Sequence, residues 1–138
     1  RSEEKMEKNN DTLTDPFGNE IASEDAKPID LNILSRLLGT DDDAYLREMV
    51  TIFWDTMRDT YTELSGLSES RDASNLRDAA HAAKGASASV GAVPVSSLLE
   101  KLQFAASDSD WDQIEGLMPK IETEFTKLGN YIETLEAA

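Results

Sequence analysis

Apolar residues recur at steps of three and four from Pro28 to the C-terminus, and nowhere do they alternate with period two over a useful length. Ile29, Leu31, Ile33, Leu34, Leu37 and Leu38 predict a short first helix that stops at Gly39. A long second helix follows on Leu46, Met49, Val50, Phe53, Met57, Tyr61 and Leu64. Thr40 or Asp41 serves as its cap, and Asp42 and Asp43 suit its positive N-terminal end. It is expected to run to about Ser65, where Gly66, Ser68 and Ser70 mark a loop. The third helix starts within residues 72–75, runs to Val90, and gathers Leu76, Ala79, Ala80, Ala83, Ala86, Ser87 and Val90 into one stripe. Gly91, Ala92 and Val93 form a corner, and Pro94 suits the first turn of a fourth helix whose Val95, Leu98, Leu99, Leu102, Ala105 and Ala106 face one way. Residues 107–110 break the chain, with Ser109 and Asp112 in the spacing of a capping box. The last helix carries Ile114, Leu117, Met118, Ile121, Phe125, Leu128, Ile132 and Leu135, and Pro119 should kink or restart it near residues 116–118. The fold class predicted is all-α: an antiparallel four-helix bundle with a short additional N-terminal helix, occupying residues 28–138.

Residues 1–27 break this pattern. They are polar, with turn-prone Asn9, Asn10 and Asp11, Asp15-Pro16 and Gly18-Asn19, and only Met6, Leu13, Phe17 and Ile21 are sizeable apolar residues. So little apolar surface cannot order the segment independently, and it reads as a flexible acidic leader or linker. A chain that begins at Arg1 rather than Met reads as a piece of a longer protein, or as carrying a cloning remnant.

Composition narrows the function classes. At 138 residues the chain holds one modest core. With no Cys there are no disulfides, thiolate metal sites or Cys nucleophiles, and a single His removes multi-histidine metal sites. The balance of 13 basic against 28 acidic residues gives a net charge of -15, a surface that repels nucleic acid and anionic lipid. No apolar run approaches the ~20 residues of a membrane span, and no signal peptide opens the chain, so a cytoplasmic location without membrane contact is expected. Neither a Gly-rich phosphate loop nor a kinase signature is present, and ATP binding is not expected.

Against this background the one histidine, His81, stands out. It lies off the apolar stripe of the third helix, and Arg77, Lys84, Gly85 and Ala88 cluster around it on the outward side. A lone helical His is ordinarily an unremarkable surface residue, but surface positions normally carry long polar neighbours, and this one is ringed by Gly and Ala. Gly85 costs the helix roughly 1 kcal/mol relative to Ala, a cost that makes sense if something bulky approaches the imidazole. Lys84, one turn along, can pair with an anion held on the ring.

Ala80-His81, then Lys84 and Gly85, Ser87 and the Gly91-Ala92 corner together resemble the signature of histidine-containing phosphotransfer (HPt) domains of bacterial phosphorelays. The resemblance covers roughly residues 28–138. It implies a four-helix bundle that presents a phosphoaccepting histidine, with Gln103 at the place of a glutamine that hydrogen-bonds the imidazole. His81 would be the nucleophile and phosphoacceptor, Lys84 (with Arg77) would stabilise the phosphoryl charge, and Gly85 would clear room for it. Phe104 points away from its stripe, either packing against a loop or contributing, with Arg77 and Ala88, to a docking surface. By the resemblance the chain is a phosphocarrier rather than a kinase. It holds no cofactor of its own, since Mg2+ and the aspartate come from the partner receiver domain of a response regulator or hybrid sensor kinase. Each helix has one apolar face, which the bundle uses, so a monomer is expected, either free-standing or as the C-terminal module of a hybrid kinase. Two other readings stay open: a phosphoacceptor domain of a chemotaxis-type histidine kinase, and a non-catalytic helical interaction module.

Overall fold

Asp30 begins the bundle by accepting a hydrogen bond from the Asn32 N–H, which starts α1 (Leu31–Leu38), and Gly39 ends that helix in the left-handed conformation at φ 72°. The structure is a computed structural model and describes residues 12–137. After α1 come α2 (Asp43–Met57), α3 (Thr60–Glu69), α4 (Ala73–Ser89), α5 (Val93–Ser107) and α6 (Trp111–Ala137). Helices α2 and α3 together make one leg of the bundle. That leg packs on α4 and α6, α4 packs on α5, and α5 packs on α6, which closes a ring of four legs joined by short connections. Val50, Met57, Leu64, Leu76, Leu99, Leu102, Ile114, Ile121, Leu128 and Ile132 fill the interior, and Ile29 and Leu34 seal one end. No described helix is long and apolar enough to cross a membrane.

Several boundaries differ from the sequence expectation. The long second helix is two helices, interrupted at Arg58 and Asp59. Both residues keep right-handed dihedrals (φ -57°, ψ -30° and φ -95°, ψ -2°), so neither Gly nor Pro was needed to make the break. Gly66 and Ser68 fall inside α3 rather than in a loop, because Leu64 and Leu67 carry the buried face past them. The cap of α2 is Asp42, which accepts from the Ala44 and Tyr45 N–H groups, and not Thr40 or Asp41. At α6 the cap is Asp110, accepting from the Gln113 N–H at 3.2 Å, while Ser109 sits in the left-handed region at φ 51° and ends the α5 turn. Pro119 lies within an unbroken α6. It is exposed, so the carbonyl it leaves unpaired can meet water while Leu117, Met118 and Ile121 continue the buried face.

The leader expected over residues 1–27 lies partly outside the described residues. From residue 12 onward the chain is built onto the bundle. Strands β1 (Thr12–Thr14) and β2 (Glu20–Ala22) pair antiparallel with Leu13 opposite Ile21, and a single 3-10 turn (Ser23–Asp25) follows. Asp15 organises the hairpin turn. Its carboxylate accepts from the N–H groups of Phe17 at 2.9 Å and Asn19 at 2.8 Å, and its own N–H donates to the Asn19 carbonyl at 2.9 Å. Burial pushes this carboxyl up. The bonds from Asn19 and Phe17, with the Arg36 charge, outweigh burial and hold it below the usual carboxylate value. Strand β1 rests on α5, and the Arg36 guanidinium stacks 3.8 Å above the Phe17 ring centroid. The hairpin is thus ordered by the bundle and not by a core of its own.

Candidate functional site

The site is assembled where α4 and α5 come together. Helix α4 starts at Asp72, which accepts from the Asn75 N–H, and its inward face is small: Ala80, Ala83 and Ser87 are buried. Ser87 donates its hydroxyl to the Ala83 carbonyl at 2.8 Å, so even the polar member of that stripe is satisfied. Small side chains let α5 approach closely.

The corner between these helices is fixed from outside. Ala92 N–H donates to the Ser87 carbonyl at 2.9 Å and Gly91 N–H to the Ala88 carbonyl at 3.2 Å, with Gly91 at φ 78°, which is a Schellman closure. The Gly91 carbonyl accepts from Asp30 N–H at 3.0 Å, which ties the corner to the start of α1. A β-carbon on Gly91 would stand 2.7 Å from the Asp30 carbonyl oxygen, so the close approach requires glycine.

On the outward face His81 is exposed, and its Nδ1 lies 3.2 Å from Gln103 Oε1 on α5. An amide oxygen only accepts, so in this pairing Nδ1 carries the ring proton and Nε2 the lone pair. A β-carbon on Gly85 would meet nothing within 4 Å, so the space beside the ring is open and the chain's own packing does not call for glycine there. Lys84 is half-buried and its Nζ lies 3.1 Å from Glu100 Oε2. Arg77 pairs instead with its neighbour Asp78, Nε to Oδ1 at 3.1 Å. Ala88 is half-buried two turns beyond His81, and Phe104, beside Gln103, is 57% exposed.

The structure therefore joins Gln103 to the imidazole and sets Lys84 one turn away, engaged by Glu100. Among the described residues no hydrogen bond links Arg77 to His81. Glu100 did not figure in the sequence reading, although its spacing three residues before Gln103 puts the two on one face of α5. Also unforeseen were residues 12–16, which with Lys84, Ala88 and Glu100 line a cleft of about 390 Å³. Among the described residues no three His, Asp or Glu side chains converge where a metal ion would sit.

Comparison with known proteins supplies the family. No curated protein matches the sequence. In structure the chain is similar to histidine-containing phosphotransfer protein B (HptB) from Pseudomonas aeruginosa PAO1, with a TM-score of 0.69, 23% identity, and coverage of 82% of this chain and 98% of that one. It is also similar to a histidine-containing phosphotransfer protein from rice, with a TM-score of 0.66, 24% identity, and coverage of 80% and 82% of the two chains. MtHPt2 from Medicago truncatula gives a TM-score of 0.66, 21% identity, and 80% coverage of each chain. At these identities the likeness establishes the helical-bundle fold. The Hpt domain family model matches residues 48–138, which include α4, α5 and the His81–Gln103 pair, and the chain belongs to the Hpt domain family.

Proposed function

We propose that His81 is the phosphoacceptor through which this Hpt domain performs histidine phosphotransfer in phosphorelay signalling. The observation that carries this assignment is the ring's setting. The imidazole is exposed on α4, its Nδ1 is held by Gln103, and its Nε2 is free to attack. Nε2 forms a bond to phosphorus as the bond from phosphorus to a receiver's aspartyl oxygen breaks, and the carboxylate departs with that electron pair. The reverse sequence returns the group to an aspartate. Gln103 keeps the proton on Nδ1 and fixes the ring plane, a positioning role. Lys84 is the cation nearest along the helix, and a phosphoryl group on Nε2 competes with Glu100 for it. The open space beside Gly85 admits the phosphoryl oxygens.

The partner is a receiver domain of a response regulator or hybrid sensor kinase, which supplies the aspartate and Mg2+. The domain itself is a phosphocarrier, not a kinase, and works in the cytoplasm as a monomer. The strongly acidic surface disfavours nucleic acid as a partner.

The test is phosphate transfer from labelled phospho-receivers, wild type beside His81→Gln. Labelling of the wild type alone, with the acid-labile and base-stable behaviour of phosphohistidine, is the expected result. Labelling by a kinase core but by no receiver would reassign the domain to a chemotaxis-type kinase. Equal labelling of both proteins would remove His81 from its role.

A further inference from the structure

We propose that the hairpin of residues 12–22 belongs to the surface on which the phosphoryl-exchanging receiver docks, its β1 edge and turn forming a rim that discriminates among receivers. The inference rests on the reading of His81 as phosphoacceptor. It begins from the cleft of about 390 Å³ that the hairpin makes with the bundle, which has Thr12, Thr14 and Pro16 on one wall and Lys84, Ala88 and Glu100 on the other. Lys84 and Ala88 are on the same outward side of α4 as His81, Ala88 only about 20° round the helix from it at ~100° per residue. Along the axis they lie about 5 and about 10 Å from His81 at ~1.5 Å per residue.

Footprint then decides the matter. A specific protein partner covers roughly 800 Å² on each side, a disc of about 16 Å radius. A receiver centred on His81 with a footprint of ordinary size therefore reaches over the cleft and onto the hairpin. The rim is not a loose end. Asp15 anchors its turn through two backbone N–H groups, and Arg36 on α1 holds Phe17. The hairpin also lies outside residues 48–138, the part matched to the family, so it adds a wall to the site that the matched bundle does not supply. A receiver that fails to complement this wall must bury its polar groups unpaired, or hold its aspartyl phosphate short of Nε2, and either slows transfer. Receivers are thus sorted by shape at the rim as well as by chemistry at the ring.

The experiment uses the full chain and two variants, Thr14→Arg, which puts a bulky cation on the exposed rim, and Asp15→Ala, which removes the acceptor that anchors the turn. Each is assayed for transfer from a panel of labelled phospho-receivers and for labelling by phosphoramidate, a small donor that needs no docking. The expected result is a change in kcat/KM of tenfold or more for at least one receiver, by factors that differ across the panel, with phosphoramidate labelling within twofold of wild type. Rates within twofold for every receiver in both variants would overturn the rim. Should Asp15→Ala lose helicity by circular dichroism, Thr14→Arg decides alone. Wild type that takes phosphate from phosphoramidate but from no receiver would overturn the relay reading and the rim with it. Labelling by neither would overturn His81 as acceptor.

Discussion

At the scale of single residues, the site separates groups that hold the ring from groups that leave it room. Gln103 holds it. A hydrogen bond of this kind contributes about 1–1.5 kcal/mol, which corresponds to roughly tenfold in rate if it orients the ring in the transition state. Gln103→Ala should therefore slow transfer by about tenfold and, since the side chain is only half-buried, leave stability within about 0.5 kcal/mol. A merely structural role would leave the imidazole tautomer unchanged. Nitrogen-15 NMR of His81 should show predominantly one tautomer in the wild type and a mixture in Gln103→Ala, and a single unchanged tautomer would refute the assignment. Gly85 leaves room. With nothing of the chain's own within 4 Å of its missing β-carbon, Gly85→Ala should raise stability by up to about 1 kcal/mol through helix propensity while slowing transfer. A higher Tm with unimpaired transfer would mean that the open space has no function. Gly129 behaves differently: a β-carbon there would come within 2.8 Å of the Trp54 ring, so packing alone accounts for that glycine.

At the scale of elements, the hairpin is the piece whose stability depends on one ionisable group. Asp15 has its folded-state pKa depressed, so the unfolded chain takes up the proton first as pH falls. Its contribution is complete above the unfolded value of about 4 and is lost as pH drops through the lower folded value. The Phe17 and Asn19 amide resonances should report this titration at a pH below the ordinary carboxylate range, and Asp15→Asn should abolish it; titration at the ordinary value would show that the turn does not hold the carboxylate. This element was also the one least legible in the sequence. Strands of three residues are too short for alternation to register, and their order comes from α5 and Arg36, partners that spacing along the chain does not reveal. The long helices were legible because Leu76 through Val90 and Ile114 through Ile132 repeat at helical period. His81 was legible because it departs from that period. The Arg58–Asp59 break carries no Gly or Pro to announce it. Glu100's engagement of Lys84 is a contact between helices, and only the packing of α4 on α5 brings it about.

At the scale of the molecule, the buried core extends beyond the family match. Residues 48–138 are matched, yet Ile29, Leu34 and Leu46 are buried in the same core as Leu99 and Leu128, and Asp30 is hydrogen-bonded to the corner that ends α4. If α1 is part of the cooperative core, a cavity made there must destabilise elements far from it in sequence. Ile29 is fully buried, so Ile29→Ala should cost about 2–5 kcal/mol. The chain's two tryptophans report on the far side of that claim, Trp54 from α2 and Trp111 from the start of α6. Urea unfolding followed by their fluorescence and by far-ultraviolet circular dichroism should give coincident single transitions. In Ile29→Ala both should move to lower urea with the slope unchanged. A tryptophan transition that stayed in place while only a small part of the helical signal was lost early would make α1 an appendage. The Gly91 corner would then need another explanation for its closeness to Asp30. A shared shift would instead mean that His81 and Gln103 are held in register by a core reaching from Ile29 to Ile132, so that a substitution at either end of the bundle changes the population of the assembled site.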